Sequence, residues 1–202
     1  MPVSTRQQLL DAARKLFASR GFYGASLKGI ADELGLTKQA LLHHFGSKEK
    51  LYAEILSQVS DSMIGRVRRA RLEATDPLEQ LVAFFDDYLG AMNDESDTAQ
   101  ILMRELVDNH ARADKVNTWY LRPFLDELVE VARALPSSEP IEEAEAFAFV
   151  YSLLGAVHYF SISQPTVQKM YGRRRFAAYR REMSAEMRRV VEARAAAFAA
   201  PR

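Results

Sequence analysis

Cysteine is absent from all 202 residues, which excludes disulfide scaffolds, thiolate zinc sites, iron–sulfur clusters and cysteine nucleophiles. Turn formers are scarce: 9 glycines and 7 prolines fall below the ~12% of average usage. That scarcity speaks against a turn-rich β-sandwich and against low-complexity sequence. Net charge is missing too, since 27 lysines and arginines balance 27 acids. No stretch alternates apolar with polar residues at period two, and no segment repeats. Met1–Gln8 lacks the apolar core of a secretory leader, so the expected compartment is the cytoplasm. There is no glycine-rich phosphate loop, nucleophile elbow, zinc-protease helix or well-spaced carboxylate pair. No catalytic residue, cofactor or metal site is therefore expected, and the chain reads as a non-enzyme.

What is present is apolar and charged side chains, 48% and 27% of the chain, enough for a sizeable core and too apolar for disorder. The balanced total hides an asymmetry. Residues 1–50 hold eight cations against four anions, so a basic end precedes an acidic body of equal and opposite charge. Such an end suggests an anionic partner. Apolar residues recur at helical spacing nearly throughout. Leu9, Ala13, Leu16 and Phe17 share one face of a first helix, with Ser4 and Gln7 forming a capping-box pattern and Gly21 ending it. Ser26, Thr37 and Ser47 precede three further helices, and Asp76-Pro77-Leu78-Glu79 is a strong helix start. Helices are then expected over 77–92, 98–110, 114–135, 140–163 and 167–198, with Pro123 kinking one of them or marking a boundary. The expected fold is all-α, with about nine helices: a helix-turn-helix domain over 1–50, a connector helix from 47, and a helical domain over 51–202.

The segment Ser26–Leu34, Gly35-Leu36, Thr37–His44 has the size of a helix-turn-helix. Burying Leu27, Ile30, Ala31, Leu34, Leu36, Leu41 and Phe45 leaves Thr37, Lys38, Gln39, Leu42 and His43 facing outward. Donors mixed with an apolar group suit a major groove, where Gln39 pairs with adenine, Lys38 reaches guanine and apolar groups touch thymine methyls. Lys28 and Lys48 sit just inside helix starts, where backbone N–H groups and charge favour phosphate.

Leu9–Phe17, Gly21-Phe22, Ser26–Leu36 and the run Ala40-Leu41-Leu42-His43-His44-Phe45-Gly46-Ser47-Lys48-Glu49-Lys50-Leu51 together resemble the TetR family of bacterial regulators, over roughly residues 5–60. The resemblance implies a homodimer that binds a palindromic double-stranded DNA operator through the third helix of each subunit. A divergent C-terminal domain would bind a small-molecule effector that releases the DNA. It implies base-facing roles for Lys38, Gln39, Ala40 and His43, and backbone-facing roles for Ser26, Lys28, His44 and Lys48. The position commonly filled by tyrosine ahead of the His-Phe pair is here Leu42, which replaces a phenolic contact with an apolar one.

The charge-free run Ala146–Gln164 approaches the ~20 residues of a membrane span. Its serines and His158, and the acidic lead-in Glu142-Glu143-Glu145, favour a helix buried between its own core and a twin subunit. No membrane partner is expected. Helices 140–163 and 167–198 are the expected dimer surface, with Arg173-Arg174-Arg175 on a solvated face paired with acids. A ligand cavity is expected among Phe84, Tyr88, Met103, Leu106, His110, Trp119, Tyr120, Phe124, Tyr151 and His158, aromatic or apolar groups with a few polar tips. The competing reading is an all-α ligand-binding or protein-interaction module without sequence-specific DNA binding.

Overall fold

The computed structural model describes residues 4–108 and 120–201; the expected sites His110 and Trp119 lie outside the described residues. Among the described residues there are nine α-helices and no strand. They are α1 (Thr5–Gly24), α2 (Leu27–Asp32), α3 (Lys38–Phe45), α4 (Lys48–Glu73), α5 (Pro77–Asp94), α6 (Ser96–Asp108), α7 (Arg122–Arg133), α8 (Glu143–Tyr171) and α9 (Arg173–Ala199).

Local chemistry starts them where the sequence indicates. The side chains of Ser4, Ser26, Thr37 and Ser47 accept the amides of Gln7, Gly29, Ala40 and Lys50 at 3.0–3.3 Å. Asp76 accepts Leu78 N at 3.1 Å, with Pro77 at the first helical position where its missing N–H costs nothing. One half of the capping box does not form: Gln7 reaches forward to Asp11 Oδ1 at 2.9 Å instead of back to Ser4.

Three boundaries differ from expectation. The first is α2, which stops at Asp32, so Leu34 falls in the turn, off the helical stripe, and is exposed. Pro123 marks a boundary: α7 begins at Arg122 after a turn at residues 120–121, and residues 114–119 of the expected helix lie outside the described residues. Pro165 does not end α8, which continues through it to Tyr171. The break falls at Gly172, whose φ of 80° is a conformation that side chains other than glycine rarely adopt. The helices expected over 140–163 and 167–198 are therefore Glu143–Tyr171 and Arg173–Ala199.

Two compact units result, Met1–Ser60 with Ser96–Tyr120, and Asp61–Glu95 with Leu121–Arg202. Compactness thus divides the chain elsewhere than the functional division expected at residue 50. In the first unit α1 packs on α2 and on α6, and α2 on α3. Its core joins Leu9, Phe17, Ile30, Leu41, Ile55 and Ile101, drawn from five different helices. Arg104 of α6 ties that helix to the end of α1, donating to Ala18 O and Ser19 O at 2.8 and 2.9 Å, just before the axis breaks at Gly21. In the second unit α5 packs on α7, α8 and α9, and α8 packs on α7 and α9. Helix α8 is long and apolar enough to cross a bilayer by length and composition, but its stripe Ala146, Val150, Leu153 and Val157 is buried in this unit.

Candidate nucleic-acid interface and ligand core

The α2–α3 turn is set by backbone geometry. Leu36 N donates to Ala31 O at 2.9 Å, and Gly35 takes a φ of 65°, which reverses the chain within two residues. Helix α3 is then anchored from one side only. Leu41 and Phe45 are buried one turn apart, so the residues between them must face away. Thr37, Lys38, Gln39, His43 and His44 are exposed, while Ala40 and Leu42 are half-buried. Thr37 spends its hydroxyl on the helix start, accepting the Ala40 amide. Leu42 is less free than its expected role as an outward apolar contact suggests.

Ser26 and Lys28 are exposed at the start of α2. Lys48 is half-buried, with its ammonium 4.6 Å from the centre of the Phe22 ring. Burial pushes the Lys48 pKa down, and neighbouring Glu49 opposes the shift. Two side chains overlooked in the sequence join this surface. Tyr23 packs edge-on against Phe22 at 5.4 Å and is exposed. Arg6 lies 4.9 Å over the Phe45 ring and pairs with Glu54, tying the end of α3 to α4. The Arg6–Phe45 contact is made by the fold and has no spacing signal, whereas Tyr23 packs on its own chain neighbour Phe22.

The expected ligand residues do not form one group. Met103, Leu106 and Tyr120 belong to the first unit. Leu106 is exposed, and Tyr120 packs against that unit's core. In the second unit Phe84, Tyr88, Phe124 and His158 do gather. The Phe84 and Tyr88 rings stack at 5.2 Å, and Phe124 lies 5.9 and 6.2 Å from them. Tyr88, fully buried, hydrogen-bonds His158 Nε2 at 2.6 Å. Burial pushes the His158 pKa down to about 4 and the Tyr88 phenol up, with Arg66 opposing the latter. The phenol therefore stays protonated beside a neutral imidazole, and the imidazole tautomer sets which of the two donates.

Tyr151 stands outside that group. It stacks on Phe147 at 5.0 Å on the outer face of α8, where Gly155 and Tyr159 continue an exposed stripe at four-residue spacing. On α9, Tyr179 and Val190 are exposed with Ala193 and Ala197. Arg173, Arg174 and Arg175 are exposed and form no ion pair with a described residue, contrary to expectation. The reason is in the sequence: no acid occurs between Gln164 and Arg181. Later arginines of α9 do pair, Arg188 with Asp86 and Arg194 with Glu145.

Residues 9–55 match the family described as bacterial regulatory proteins, tetR family. Residues 77–198 match the C-terminal domain of the HTH-type transcriptional dual regulator CecR. The HTH-type transcriptional repressor KstR2 of Mycolicibacterium smegmatis is 39% identical over 84 residues, 42% of this chain and 41% of that protein. KstR2 of Rhodococcus jostii is 29% identical over 176 residues, covering 82% and 86%. Several curated relatives are thus matched over only about two fifths of their length. A TetR-like transcriptional regulator from Rhodococcus sp. RHA1 shares the fold, with a TM-score of 0.68 at 21% identity over 95% of this chain and 96% of that one.

Proposed function

From membership of the TetR family of bacterial regulatory proteins, to which this chain belongs, we propose that it is a ligand-responsive, DNA-binding transcriptional repressor acting in the cytoplasm. The observation that carries the reading is the outer surface of α3, a row of exposed donors over a helix anchored only by Leu41 and Phe45. Lys38, Gln39, Ala40 and His43 read base edges. Leu42 contributes an apolar edge beside them. Ser26, Lys28, Thr37, His44 and Lys48 hold the backbone and set register without choosing sequence.

Two copies associate through α8 and α9, whose exposed stripes, Phe147, Tyr151, Gly155 and Tyr159 on one and Tyr179, Val190, Ala193 and Ala197 on the other, are apolar or small. A homodimer sets its two heads on half-sites about one DNA turn apart, ~34 Å, so the operator is palindromic. A small apolar or amphipathic effector binds against the aromatic group of the second unit. It releases DNA only to the extent that it binds the non-operator form more tightly.

Selection of bound duplexes from a random pool tests this reading. The expected result is an enriched palindrome whose half-sites each lose preference at one base pair in Gln39→Ala, by about 1–3 kcal/mol of discrimination. A pool with no enriched palindrome at moderate salt favours a helical interaction module without sequence-specific DNA binding.

A further inference from the structure

In the second unit, α7 carries a carboxylate that is only half used. Glu127 Oε1 accepts both Nε and Nη2 of Arg68, at 3.1 and 2.6 Å. An arginine–carboxylate pair commonly engages both oxygens, one N–H to each. Here both N–H groups converge on one oxygen, and Oε2 is buried with no hydrogen-bond partner. A buried acceptor left open is rare in folded chains and calls for a reason. One turn earlier on the same face of α7 stands Phe124, packed on Phe84 and Tyr88. Tyr88 Oη and His158 Nε2 are hydrogen-bonded to each other. Glu127 Oε2, one turn along the same face of α7 from Phe124, has no such partner.

The surrounding charge selects what it can take. Arg68 already balances the carboxylate, and Arg66 on the same helix is held by Asp87 and Glu95. A ligand carboxylate would meet a carboxylate oxygen and be repelled. An ammonium would add a second cation to a pair that is already neutral. A neutral donor meets neither penalty.

Building on the ligand-responsive reading above, we propose that Glu127 is the polar anchor of the effector site and accepts a hydrogen bond from a neutral hydroxyl or amide N–H on an otherwise apolar ligand.

The test uses three probes of one aromatic body: 2-naphthol, its methyl ether 2-methoxynaphthalene, and 2-naphthoate. Binding to the full chain is followed by probe fluorescence. The expected order is naphthol first, with the ether and the carboxylate weaker by about tenfold or more, as loss of a hydrogen bond to a charged acceptor implies. In Glu127→Met naphthol and ether bind alike, whereas Glu127→Gln, which keeps a carbonyl acceptor, retains part of the preference. Glu127→Met also keeps its melting temperature, because it removes an unsatisfied buried oxygen; a purely structural role for the Arg68 pair predicts a loss. Equal binding of naphthol and ether by the unaltered chain, or no binding of any probe, overturns the anchor without reference to a variant. Release of DNA is read separately. Should naphthol bind with the stated preference and never loosen DNA, the anchor stands and the ligand-responsive reading falls.

Discussion

The two compact units keep their polar chemistry in opposite places. Around α3 the core is almost entirely aliphatic and aromatic, its Tyr52 hydroxyl donating to Glu105 at 3.1 Å, and Lys38, Gln39, His43 and His44 stand in solvent above it. Around α5 the surface ion pairs are ordinary, and the distinctive polar groups are turned inward: Tyr88 on His158, Ser161 on Asn93, and the open oxygen of Glu127. A surface that recognises an external polymer needs rigid support and exposed donors. A core that answers to a small molecule needs polar atoms protected from water, where each contact counts for more. The first arrangement fails when its support collapses, the second when its protonation changes.

The most damaging change to the first unit is therefore far from its donors. Phe17 is buried against Tyr52 at 4.8 Å and Phe22 at 6.2 Å. Phe17→Ala is expected to cost about 3–5 kcal/mol of stability, through lost burial and the cavity left behind. DNA binding should fall for every sequence alike, as measured by urea unfolding and by binding to random duplex. Undiminished binding would mean that the donor surface does not depend on this core.

The second unit should instead show its difference as pH dependence. His158 titrates near 4 when folded and near its ordinary 6.5 when unfolded. Between those values the unfolded chain holds a proton that the folded chain does not. Stability is accordingly complete above about pH 6.5 and falls as pH drops toward 4, by on the order of 3 kcal/mol. His158→Phe should flatten that part of the stability–pH curve, leaving the slope due to carboxylates. Equal slopes in the two proteins would show that the Tyr88–His158 pair opens before it protonates.

The same contrast explains which parts of the molecule could be read from the chain. Caps at Ser4, Ser26, Thr37 and Ser47, the turn at Gly35 and the stripe Leu41/Phe45 all lie within a few residues of what they control. The helix-turn-helix and its outward donors are legible for that reason. Tyr88 and His158 are 70 residues apart, and Glu127 and Arg68 are 59. Such pairs depend on how helices pack, which spacing within one helix does not encode. Phe84, Tyr88, Phe124 and His158 could be named as polar-tipped or aromatic, but not distinguished from Tyr151 on the outer face. Glu127 carried no signal at all, since a glutamate in an amphipathic helix ordinarily faces water. The continuation of α8 past Pro165 was hidden too, because proline in a sequence reads as a stop wherever neighbouring helices can hold the bend.

The finest contrast lies within the first unit, between two lysines assigned to phosphate. Lys28 is exposed, whereas Lys48 rests its ammonium on the Phe22 ring. Each phosphate contact adds about 0.9 to the slope of log affinity against log salt, so either lysine replaced by alanine should reduce that slope by roughly one. Stability separates them. Lys48→Ala also forfeits the ring contact, about 0.5–1 kcal/mol, and lowers the unfolding midpoint slightly, while Lys28→Ala leaves it unchanged. A Lys48→Ala protein with a lowered midpoint and an unaltered salt slope would assign that ammonium to Phe22 alone. The backbone grip would then fall to Lys28 and to side chains such as Tyr23, which packs edge-on against the same Phe22 ring.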